Sequence, residues 1–127
     1  MRAEAGARRQ LAADKLPVVL SREVAAERVR LDLAVPATLA WFAGHFPDHP
    51  ILPGVAQIGW AIVFAREYFD FPADPPHIER IKFQNPIRPG DEVTLELLRD
   101  AERPLRVAWT LGRGELVLSN GRLEFAV

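Results

Sequence analysis

His45 and His49, two of the three histidines in this 127-residue chain, stand four residues apart in the stretch GHFPDHPILPGVAQIGW, Gly44–Trp60. A histidine titrates near neutral pH, so it can take a proton from a weak acid and give it back. Nine residues after His45, Pro53-Gly54 opens an apolar segment in the way a helix starts. The first turn of a helix leaves backbone N–H groups unpaired, and these stabilise developing negative charge. Base and cradle together are the parts a reaction needs if it passes through an enolate-like oxygen. Gly54 would let a substrate carbonyl approach the backbone closely. Taken alone, His45 also reads as a loop histidine capped by a backbone carbonyl. His49 has no third ligand nearby and the chain has no cysteine, so no metal is expected and His49 reads as a surface or tunnel-mouth residue. Gln57 is a polar residue in the first turn of an otherwise apolar helix. It is either a substrate contact or a core amide bonded to a neighbouring loop.

The elements that must position these residues follow from periodicity. The chain is 49% hydrophobic and 26% charged, with a formal net charge of -1, which offers no basic surface for nucleic acid. No apolar run is long enough to span a membrane. Residues 1–15 carry Arg2, Arg8 and Arg9 but lack the apolar core of a secretory signal. They read as a flexible extension of a cytoplasmic protein, leaving residues 16–127 as a single domain. Leu16–Ser21 reads as an edge strand. Glu27–Val35 alternates strictly, with Val29, Leu31, Leu33 and Val35 on one face. Three prolines, Pro47, Pro50 and Pro53, make 37–53 an ordered irregular segment. Gly54–Asp70 is a helix apolar almost all round as far as Arg66, and such a helix is normally buried. Strands follow over Ile78–Gln84, 92–100, 105–111 and from Glu115 to the end, with turns at Asn85–Asp91 and Gly112–Gly114. Alternation over Ile78–Gln84 puts Ile78 and Phe83 on opposite faces. Asn120-Gly121 is a local turn signal, but the six residues beyond it favour one long strand with a bulge there. One buried helix with five or six antiparallel strands is an α+β hotdog arrangement. The apolar helix further implies a dimer.

GHFPDHPILPGV resembles the signature of the 3-hydroxyacyl-[acyl-carrier-protein] dehydratases, and IKFQNPIRPGDEVTLEL resembles the strand–turn–strand of the same family. PILPGVAQIGWA is most similar to the divergent members of aryl-polyene and related pathways. The resemblance implies a hydro-lyase with His45 as the catalytic base and the Gly54 and Val55 amides holding the thioester oxygen. It implies Phe46, Phe83, Gln57 and Gly59 as further substrate contacts. The substrate would be carried on phosphopantetheine, as an acyl carrier protein or coenzyme A thioester, with no metal and no other cofactor. Trp41 and Phe42 would line an acyl or aryl channel or belong to the core, where Trp60, Phe64, Tyr68 and Phe69 are expected. Arg80, Lys82 and Arg88 would meet a phosphate or an acidic carrier, or form a solvated face. The family's helix acid falls fourteen residues after the histidine, where this chain has Gly59. The next carboxylate, Glu67, lies eight residues further on, about 12 Å along the axis. Several readings remain: an enzyme using His45 for both proton transfers, the acid-lacking subunit of a hetero-oligomer, a non-catalytic thioester binder, or a thioesterase.

Overall fold

Strict alternation makes β2 (Arg28–Ala34) a strand with one dry face: Val29, Leu31 and Leu33 are fully buried, while Arg28 and Arg30 face solvent. The computed structural model of the chain describes residues 11–43 and 49–126. The other strands are β1 (Val18–Val24), β3 (His77–Phe83), β4 (Glu92–Arg99), β5 (Arg106–Arg113) and β6 (Leu116–Glu124). All six pair antiparallel in the order β1-β2-β4-β5-β6-β3. Helix α1 (Gly54–Tyr68) lies in the chain between β2 and β3, which are far apart in the sheet. The chain therefore crosses the sheet through α1 and returns through residues 84–91. The inward residues of the sheet and Ala56, Trp60, Ala61 and Phe64 of α1 form one core. This is the hotdog fold.

Three expectations need correction. Residues 11–15 belong to the domain. A 3-10 turn spans Ala13–Lys15, and the Lys15 carbonyl accepts hydrogen bonds from the indoles of Trp41 and Trp60, both at 2.8 Å. Leu11 packs against the core. Alternation in β3 breaks because Arg80 and Ile81 together face Gly121 of β6, a two-against-one bulge with Arg80 at φ 57°. Ile78 pairs with Leu123 and Phe83 with Ser119, so the bulge returns Ile78 and Phe83 to one face. The β6 segment is one strand, as expected, but its irregularity falls at Leu118, between the partners of Leu111 and Gly112. Gly121 faces Trp109 instead, and a Cβ on it would clash with the edge of the indole ring.

The α1 helix is less uniformly buried than its composition suggests. Val55 is 65% exposed, and Ile58, Gly59 and Ile62 are only partly covered, so a stripe is open in the single chain. At its far end Arg66 and Glu67 are buried. The Arg66 guanidinium donates to the carbonyls of Ala73 and Asp74 at 2.8 and 2.7 Å, which closes the following loop over the helix end. Burial holds its pKa below the ordinary arginine value.

Candidate active site

Helix α1 begins at Gly54 because Pro53 has extended geometry and no N–H to lose. Of the four amides at the start, those of Ala56 and Gln57 bond to the Pro53 carbonyl at 3.1 and 3.4 Å. Those of Gly54 and Val55 have no partner among the described residues, so the positive end of the helix dipole carries two free donors. A cavity of about 390 Å³ lies beside them, walled by Ile51–Gly54 and Gln57 on one side and Phe83–Pro86 on the other. The walls are tied together. Leu52 N–H donates to the Ile87 carbonyl at 2.7 Å, Gln84 and Asn85 N–H to the Leu118 carbonyl, and the Asn85 side chain to the Val117 carbonyl at 2.7 Å.

The Phe83 ring lies against Gly54. A Cβ on Gly54 would lie 2.6 Å from its ring, well inside contact distance, yet the ring is half exposed. Gln57 is 4% exposed; its Nε2 donates to the Leu52 carbonyl at 3.3 Å, and its Oε1 is buried without a partner. Among the expected site residues, Gly54, Gln57 and Phe83 thus share one cavity. His45 and Phe46 lie outside the described residues. Val55 does not line this cavity, and its side chain is exposed to solvent. Gly59 lines a different space of about 230 Å³ with Leu11, Ile62, Val63, Arg66, Pro75 and Pro76. A Cβ on Gly59 would meet Leu11 at 3.5 Å, an ordinary contact.

Trp60, Phe64 and Phe69 are core, Tyr68 is half-buried against it, and Trp41 is anchored on Lys15. His49 is exposed on the loop before Pro50. Arg80, Lys82 and Arg88 are exposed around β3 and the following turn. The other cations nearby are spent, Arg122 on Glu79 at 2.7 Å and Arg113 on Asp91 at 3.0 Å. Sequence reasoning missed two parts. Gln84–Pro86 form the second wall, for which the only signal was the Asn-Pro turn. Leu11 covers Gly59 from a segment without periodicity.

A single α-helix among the described residues, lodged in a six-stranded antiparallel sheet and starting beside a cavity, defines a hotdog domain. The ApeI-like family, described as ApeI dehydratase, matches residues 21–122, and the chain belongs to that family. A chain of the dehydratase heterocomplex ApeI:P from Xenorhabdus doucetiae is 32% identical with a TM-score of 0.80, over 88% of this chain and 99% of that one. An uncharacterized protein from Erwinia carotovora subsp. atroseptica is 35% identical with a TM-score of 0.74, over 87% and 96%. The 3-hydroxyacyl-[acyl-carrier-protein] dehydratase FabZ of Campylobacter lari is 44% identical over 69 residues, which cover 44% of this chain and 46% of that protein. The chain spans about half the length of the curated relatives it matches.

Proposed function

We propose that this protein is a dehydratase acting on 3-hydroxyacyl thioesters carried on phosphopantetheine. The observation that carries the reading is the pair of amides at Gly54 and Val55, unpartnered among the described residues, at a helix start whose Gly54 lines a cavity directly after the histidine-bearing motif. The amides receive the thioester oxygen as it gains charge. His45 takes the α proton, a carbon–carbon double bond forms, and the C3–oxygen bond breaks. The departing hydroxyl takes a proton and leaves as water, so the products are an enoyl thioester and water, with no electron acceptor needed. Incubation with a 3-hydroxyacyl carrier-protein thioester tests this by intact mass, which should show loss of one water in the parent and none in His45→Ala. An unchanged thioester with the parent chain, alone and with a partner, would refute it.

A second reading concerns the proton given to the leaving hydroxyl. Gly59 cannot supply it, and the structural neighbour from Xenorhabdus doucetiae is a chain of a dehydratase heterocomplex. In this reading a second hotdog chain with a helix carboxylate completes the site. Activity that appears only on mixing with such a chain would favour it; full activity of the chain alone would favour His45 in both roles.

A further inference from the structure

We infer that Gln57 accepts a hydrogen bond from the 3-hydroxyl of the acyl group and thereby selects hydroxylated over saturated chains. The inference rests on the thioester reading above and adds a recognition element to it. The orientation of the carboxamide is fixed by its surroundings. The Leu52 carbonyl can only accept, so the amide nitrogen must face it, and that bond is present at 3.3 Å. Oε1 is then committed to the other direction, where no group among the described residues bonds to it, and it is shielded from solvent in the single chain. A buried acceptor without a donor is unfavourable, and a ligand that supplies the donor recovers that cost.

The acyl part of a 3-hydroxyacyl thioester has one hydrogen-bond donor, the hydroxyl. Its position suits Gln57. With the thioester oxygen on the Gly54 and Val55 amides, C3 is two bonds from the carbonyl carbon. Gln57 lies three residues after Gly54 on the same helix face, about 4.5 Å along the axis, and both line the cavity. A carboxamide cannot donate the proton that expels the hydroxyl, but it can hold that hydroxyl in place. Gln57 is on this account a specificity and positioning residue.

The test measures binding of an octanoyl and a 3-hydroxyoctanoyl carrier-protein thioester to the full chain carrying His45→Ala, so that neither is consumed. The hydroxylated ligand should bind at least about tenfold more tightly, because a site built around a hydroxyl rejects the analogue lacking it. Adding Gln57→Leu should bring the two affinities within about twofold, through loss on the hydroxylated ligand alone. Equal affinities before the substitution overturn the inference even if Gln57→Leu fails to fold. Equal weakening of both ligands by Gln57→Leu also overturns it, since the donor would then be on the shared phosphopantetheine arm. Binding of neither ligand before the substitution would instead sink the thioester reading itself.

Discussion

At the scale of single residues, Gly54 serves Phe83 as well as any ligand. The absent Cβ leaves room for the phenyl ring, which lies across the helix start beside the free amides. Gly54→Val should therefore do two things. It should destabilise the fold by about 1–3 kcal/mol through overpacking, read as a lower denaturation midpoint. It should also weaken acyl-thioester binding, read by titration. Adding Phe83→Ala separates the two, restoring the midpoint but not the affinity if the amides are the cradle. Recovery of both would reduce Gly54 to a packing residue. The histidines offer a simpler contrast. His45→Ala should lower dehydration at least about a hundredfold, the size of a general-base contribution, while His49→Ala leaves it within about twofold. Equal losses would mean that the base is misassigned.

At the scale of elements, much was legible because the inward face is apolar and strictly periodic. The alternation in Glu27–Val35 marks β2, and Pro53-Gly54 marks the start of α1 to the residue. What was not legible depends on neighbours. The two-against-one bulge at Arg80 and Ile81 sets the face of Phe83, and nothing in IERIKFQ announces it, since a one-residue slip exchanges every face. Gly121 looked like half of a turn because Asn-Gly favours one locally. Its reason lies on the next strand, in Trp109, so Gly121→Ala should cost about 1–3 kcal/mol while Asn120→Ala costs much less. A polar cross-strand device adds a pH dependence. Asp32 accepts from Ser21 of β1 at 2.6 Å and Thr94 of β4 at 2.9 Å, its register partners on both sides. The Ser21 bond, then the Thr94 bond, hold its carboxyl below the usual aspartate value. A folded pKa below the unfolded one stabilises above the unfolded value and loses that contribution as pH falls through the folded one. Asp32→Asn should thus lower stability at neutral pH by less than about 1 kcal/mol, given its exposure to solvent. The difference from the parent should begin to shrink as pH falls below about 4 and close once pH passes the lower folded value; a gap that stays constant through that acid range in denaturant titrations would contradict this assignment.

At the scale of the whole molecule, the open stripe of α1 and the free edge of β3 belong together. Phe83 joins them at the helix start, and Val55, Ile78, Ile81 and Phe83 are all substantially exposed in the single chain. A second hotdog chain pairing along β3 would cover these residues and reach the cavity at Gly54; one pairing along β1, at the far edge, would not. Gly59 lies on the same open stripe, one turn beyond Val55. A glycine within a helix costs about 1 kcal/mol relative to alanine, so the absence of a side chain calls for a reason. Contact with Leu11 does not supply one, because a Cβ would fit at 3.5 Å. The space of about 230 Å³ between the helix, Leu11 and Pro75-Pro76 does, if part of a substrate occupies it. Gly59→Glu would place a carboxylate there and push against Leu11, so it should be made both alone and with Leu11→Ala to keep steric relief apart from chemistry. If the chain has merely lost an acid, the new carboxylate should raise dehydration of short 3-hydroxyacyl thioesters at least about tenfold, more so with Leu11→Ala. If the space holds a rigid aryl or polyene chain, short substrates should react as before and bulky ones should be excluded. Parent-like turnover of every substrate by both variants would show that position 59 does not face the reacting chain, and the open stripe would then be a surface for a partner alone.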